Sequence, residues 1–153
     1  MNMHRLLGAL VVLLLTGGFG GGVYAASPKE EYELQERCGK RATEIFEKLG
    51  GHLDGGAIKI ENGQSLMGFQ NHYSKRLNKC FMLLTTTSYT TVQKKTTSNT
   101  LINLFDVNEN KDYGSFFKRN EDTQPFECEV ASKRCGSKDE WDALAAPYME
   151  DAE

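Results

Sequence analysis

Two histidines follow the N-terminal apolar run, His52 in a glycine-rich stretch and His72 at the end of a segment with strand character. Acid–base or nucleophilic work by histidine needs a cleft and hydrogen-bonded partners. Tyr73 and Ser74 are only sequence neighbours of His72, and no G-x-S-x-G elbow exists to present a serine nucleophile. A structural or surface role is therefore expected for His72, with no catalytic residue assigned. Asp106-x-Asn108-x-Asn110 has the first three ligand types of a calcium loop. The pattern fails afterwards: the glycine position holds Lys111 and the bidentate carboxylate position holds Phe117. A polar β-turn accounts for the same residues, since Asp and Asn side chains satisfy turn backbones. Residues 85–100 hold eight threonines with Tyr89 and Lys94-Lys95 among them. They could form a recognition face, but two strands with solvated threonine sides explain them without a ligand. Gly50, Gly51, Gly55 and Gly56 lack the lysine–serine pair of a phosphate loop, so no cofactor is expected.

The remaining reactive groups are Cys38, Cys80, Cys128 and Cys135. Neither a C-x-x-C pair nor a suitably spaced histidine pair accompanies them, which argues against zinc and redox catalysis and leaves no expected metal ligand. Disulfides are the default for cysteines in an oxidising compartment. Four cysteines allow three pairings; the expected one joins Cys128 to Cys135 around the turn-like Ser132-Lys133-Arg134, leaving Cys38 for Cys80. In the chain-entropy view the short loop contributes about 2.5 kcal/mol and the long one about 4 kcal/mol.

That compartment is argued from the N-terminus. Met1 to Arg5 carry positive charge, Leu6 to Leu15 are apolar, and Val23-Tyr24-Ala25-Ala26 offers small residues to a signal peptidase. The order is that of an export signal. Residues 1–26 are thus expected to be a removable signal peptide and residues 27–153 a single domain, periplasmic or secreted, with no stable membrane insertion after cleavage. Leu6 to Ala26 as an uncleaved anchor is the rival reading, but its strongly apolar part is shorter than the roughly 20 residues a span needs. With Arg5 removed, 17 basic residues face 21 acidic ones, a net charge of −4 that excludes nucleic-acid binding by bulk charge. The charge is uneven: residues 59–119 hold nine Lys or Arg against four acids, and residues 120–153 hold three against ten. Intramolecular complementarity or two solvated faces explains this as readily as a dedicated patch for an anionic polymer or acidic partner.

The elements that must position these residues follow from periodicity. Ser27-Pro28-Lys29-Glu30 is a capping box with proline at the first helical position. Leu34, Cys38, Ala42, Ile45, Phe46 and Leu49 then form one apolar stripe, and Gly50-Gly51 should end the helix, predicted over Pro28 to Leu49. Ile58 and Ile60 lead into Asn62-Gly63, a tight-turn dipeptide. Further strands are predicted at Leu66 to Tyr73 (or a short helix), Lys79 to Thr91, Thr100 to Val107, Tyr113 to Lys118 and Pro125 to Ala131. Turns are expected at Ser74-Lys75-Arg76, Lys94 to Asn99 and Asn108 to Lys111. Ser137-Lys138-Asp139-Glu140 repeats the capping box, and Trp141, Leu144, Ala145 and Tyr148 give a second helix one apolar face, with Pro147 ending or kinking it. The fold class is α+β: an N-terminal helix, an antiparallel meander of five or six strands and a C-terminal helix, each helix lying on one sheet face, with two disulfides.

Gln70-Asn71-His72-Tyr73, Leu77-Asn78-Lys79-Cys80-Phe81, and Cys135-Gly136-Ser137 with Glu140-Trp141, resemble a loose set of uncharacterised exported bacterial proteins. The resemblance implies a bacterial periplasmic or secreted setting and no particular activity. The functional expectation is a non-enzymatic binding or inhibitor-like module whose partner is another exported protein or an envelope component. A small hydrolase using His72 with an acid brought near by the fold, and a structural component of the cell envelope, are the alternatives. The sequence carries no sign of oligomeric state.

Overall fold

The computed structural model describes residues 27–151. The expected signal peptide lies outside the described residues. Helix α1 (Pro28–Lys48) starts at the predicted capping box: the Ser27 hydroxyl accepts from the Glu30 amide at 3.3 Å, and the Glu30 carboxylate accepts from the Ser27 amide at 2.6 Å. Gly50, at φ +88°, ends it by adopting the left-handed conformation that a side chain would resist.

Seven strands follow: β1 (Ile58–Ile60), β2 (Gly63–Ser74), β3 (Lys79–Val92), β4 (Lys95–Asp106), β5 (Lys111–Arg119), β6 (Glu127–Val130) and β7 (Lys133–Arg134). They pair antiparallel in chain order, so the sheet is an uninterrupted meander, and α2 (Lys138–Met149) closes the fold. The segment around Leu66 is strand, not helix. The seventh strand is a two-residue return after β6, where a turn alone was expected.

The helices cover opposite faces of the sheet. Along β3 the even residues Cys80, Met82 and Leu84 pack with Cys38, Ala42 and Phe46 of α1, while Phe81 packs with Trp141 and Ala145 of α2. The period of two in a strand buried on both faces makes this division. Of the predicted α1 stripe, Cys38, Ala42 and Phe46 are buried, whereas Leu49 is left exposed past the last turn. Trp141 is fully buried at the centre of the α2 side, edge-on to Phe116 at 6.4 Å.

Both expected disulfides form. Cys38–Cys80 ties α1 to β3, and Cys128–Cys135 closes the β6–β7 hairpin, whose Cys135 amide also donates to the Cys128 carbonyl at 2.9 Å.

Several local expectations are corrected. Lys94 to Asn99 is not a turn: Gln93 (φ +51°) and Lys94 (φ +66°) make a two-residue turn, and β4 begins at Lys95. At the first hairpin Glu61 and Asn62 make the turn, with Asn62 at φ +59°, and Gly63 already begins β2. Gly63 is required for closeness rather than for φ, because a Cβ there would lie 1.8 Å from the Tyr89 carbonyl oxygen. At α2 the Ser137 hydroxyl accepts from the Glu140 amide at 3.2 Å, but the Glu140 carboxylate reaches back to the Gly136 amide at 2.7 Å instead of closing a box on Ser137. Pro147 stands inside α2, which runs on to Met149.

Candidate functional site

Each sequence-nominated residue has a definite place. His72 lies on the α2 side of β2 and is mostly buried; its Nε2 faces Asp151 Oδ1 at 3.4 Å without completing a hydrogen bond. The fold therefore does bring an acid to His72, beyond the end of α2. His52 is exposed in the loop after α1.

Asp106 is buried, with 1% of its surface exposed, at the end of β4. Its Oδ1 accepts from the amides of Asn108 (2.9 Å) and Glu109 (3.2 Å), and its Oδ2 accepts from Lys79 Nζ at 2.8 Å. Lys79 Nζ also meets Glu109 at 2.5 Å. Burial pushes the Asp106 carboxyl pKa up, but the Lys79 ammonium and the two turn amides outweigh it and hold the group below its ordinary value. Its two carboxylates raise the Lys79 pKa in turn. The motif is thus a polar turn whose fixed positive charge is the Lys79 ammonium.

The threonine-rich residues form the outer half of the β3–β4 hairpin. They bond to one another across strands, Thr91 to Thr96 at 3.0 Å, with Ser65 to Ser88 at 3.2 Å beside them. Threonines alternate onto both faces, which is the solvated-strand arrangement.

A different region forms a broad depression. Helix α1 packs chiefly on β2 and β3, with Phe105 of β4 in the same cluster, and leaves the rest of that face, from Asn103 across β5 to β7, largely uncovered. There the register aligns Asn103 with Ser115, Ser115 with Glu129, and Glu129 with Arg134. The neighbours of these residues in sequence, Leu104, Phe116, Cys128 and Val130, are buried against α2, so alternation turns the polar side chains onto the bare face. Glu127 lies two residues along from Glu129 on that face, and the Ser115 hydroxyl donates to its carboxylate.

The result is a cleft of about 1050 Å³, with a polar row across its floor and Phe126 at its rim. Phe126 is 80% exposed, held edge-on against Phe117 at 6.1 Å. The acids Asp112, Glu127 and Glu129 outnumber the bases Lys111 and Arg134 in the lining. Such a surface can offer hydrogen bonds, a net negative field and one aromatic platform. Among the described residues, no group of three His, Cys, Asp or Glu side chains is arranged to hold a metal.

Of the cleft residues, the sequence singles out only Cys128, Cys135 and the turn from Ser132 to Arg134, and these for a cross-link rather than for recognition. The one available signal was the alternation Glu127-Cys128-Glu129-Val130, which puts two acids on one face. Comparison of the chain with protein families, with curated proteins and with solved structures finds no match.

Proposed function

We propose that this chain is a non-enzymatic binding module of an exported compartment and that the cleft on β4 to β7 is its recognition surface. The observation that carries the reading is the row Asn103, Ser115, Glu129 and Arg134, laid across four strands on a face that α1 leaves bare. Polar side chains lined up in register on a rigid sheet are preorganised, so a ligand orders little on binding. One disulfide holds that sheet to α1 and the other closes the β6–β7 hairpin beside the cleft, which suits a small domain working outside the cytosol. The excess of acids selects a partner segment rich in Lys, Arg or hydroxyl groups, and Phe126 supplies the apolar anchor that recognition sites commonly use. The partner is another exported protein or an envelope component.

A photo-cross-linking residue at Phe126, in protein exported by its native host, should capture a discrete partner. The same residue at Tyr32, exposed on α1, should not. Glu127→Gln with Glu129→Gln should weaken capture roughly tenfold, as loss of charged hydrogen bonds does. Identical products from both positions, or none from Phe126, would remove the proposal.

The approach of Asp151 to His72 favours one second reading, a small hydrolase using that pair. Partner capture and phenotype preserved in His72→Ala would eliminate it.

A further inference from the structure

The two cross-links differ in the properties that govern exchange with an external thiol. Cys38 and Cys80 are both buried, at 3% and 1% exposure, in the core between α1 and β3. Cys128 is buried in the α2 cluster, but Cys135, packed against the same cluster, is partly exposed. That bond therefore lies on the α2 side of the β6–β7 hairpin, whose other face lines the cleft. A thiolate can reach Cys135 Sγ, whereas Cys38 and Cys80 are closed to it until α1 leaves the sheet.

Register sharpens the contrast. The Cys135 amide donates to the Cys128 carbonyl, so the two cysteines form a hydrogen-bonded pair of the ladder, the kind that holds opposed side chains further apart than the alternate pairs do. Closing a disulfide there draws the Cβ atoms nearer than the ladder sets them. Cross-links that are exposed or held against their surroundings are the ones most readily reduced. The bond also spans 7 positions against 42 for Cys38–Cys80, so chain entropy defends it less.

We infer that Cys128–Cys135 is an exchangeable disulfide, opened by the dithiol of an exported thiol oxidoreductase, and that its opening frees one wall of the cleft. The inference rests on the cleft reading for its purpose and on the two cross-links for its chemistry. Little besides the bond holds that wall. Strand β7 has two residues, paired with Glu129 and Val130, and the turn before it keeps Ala131 at φ +48° and Ser132 at φ +65°, which neither side chain favours. Ala131, Ser132 and Arg134 all line the cleft. Opening the bond lets this turn relax and releases Arg134 from its register opposite Glu129.

In the exchange a thiolate of the oxidoreductase attacks Cys135 Sγ, forms a mixed disulfide and expels the Cys128 thiolate, which takes up a proton. The second thiol of the oxidoreductase, deprotonated, attacks the first within that mixed disulfide and expels the Cys135 thiolate, which is protonated in turn. Two electrons and two protons pass to the chain, and the oxidoreductase keeps the new disulfide.

The test is graded reduction of the full chain, expressed in an exporting host and purified oxidised, with reduced thioredoxin as the dithiol. Alkylation and peptide mapping should label Cys128 and Cys135 at least tenfold faster than Cys38 and Cys80. In the selectively reduced protein, amides from Ala131 to Cys135 should exchange with solvent at least tenfold faster, while those of α1 and β3 keep their protection. Reoxidation should restore the original rates. Labelling of all four cysteines at one rate, or of Cys38 and Cys80 first, would overturn the inference. So would a hairpin whose exchange ignores the reduction, or a loss of α1 protection alongside it, which would mean unfolding and not a released wall. Capture at Phe126 is scored separately: selective reduction and hairpin release with no capture in either state would support the exchange and remove the recognition reading.

Discussion

At the scale of single residues, Asp106 is the costliest polar group to disturb, because it is buried and both its oxygens are engaged. Asp106→Ala should lose about 3 kcal/mol in denaturant unfolding, since it strips two turn amides and a lysine of their acceptor. Its carboxyl pKa lies below the ordinary 3.8, so its contribution is complete above that pH and disappears as pH falls through the depressed folded value. Lys79 has the opposite sign: its pKa is raised, so its contribution is complete below 10.5 and lost as pH climbs through the higher folded value. Melting temperature measured against pH should therefore drop more steeply below pH 3.8 in the wild type than in Asp106→Ala, and equal slopes would contradict the assignment. Two glycines of β2 give a second contrast. Gly63→Ala forces a Cβ to 1.8 Å from a backbone carbonyl and should cost about 2 kcal/mol, whereas Gly68→Ala enters open space and should be neutral or slightly stabilising. The cysteine pairing could be read from the sequence because short spacing and compartment chemistry act locally. The reason for Gly63 could not, since Tyr89 lies 26 positions away and only the β2–β3 register brings its carbonyl near.

Helices and strands were legible where a single periodicity governed them. The α1 cap, its stripe through Cys38, Ala42 and Phe46, and the core of β3 all follow from local pattern. The turn at Gln93-Lys94 was missed because two positive φ angles ordinarily call for Asn or Gly. Here the register of twelve residue pairs between β3 and β4 fixes the reversal, and the side chains merely tolerate it. Pro147 misled for a related reason. Its missing N–H leaves the Ala143 carbonyl without its helical donor, yet α2 continues because Tyr148 packs against Phe81 at 5.3 Å and Tyr113 at 5.4 Å. Tertiary packing outweighs the local penalty. Pro147→Ala should accordingly stabilise the protein by about 1 kcal/mol, less than a proline costs in mid-helix because only the last turn is affected. A loss of stability would mean that the ring fixes the path of the chain toward Asp151.

For the whole molecule, the cleft has one origin: a single helix on one face cannot cover a seven-stranded meander from end to end. Where α1 sits decides which strands stay bare, and that choice belongs to the assembled sheet, which is why the cleft residues escaped sequence reasoning while the strands carrying them did not. The Cys38–Cys80 disulfide fixes the choice, since it anchors α1 over β2 and β3 and not over β4 to β7. Its loop spans 42 positions against 7 for Cys128–Cys135. Loop-closure entropy gives about 4 kcal/mol for the longer cross-link and about 2.5 kcal/mol for the shorter. Replacing Cys38 and Cys80 together by serine should therefore destabilise more than replacing Cys128 and Cys135. The two variants should also differ in kind. Without the long cross-link, α1 amides should exchange with solvent well before those of β3 and β4, because the helix then holds to the sheet only through side chains such as Ala42 and Phe46. Without the short one, α1 protection should be unchanged and exchange should quicken in β6 and β7. Equal destabilisation, with protection lost evenly across the sheet and both helices, would show that neither cross-link governs where α1 lies and would leave the bare face without its structural cause.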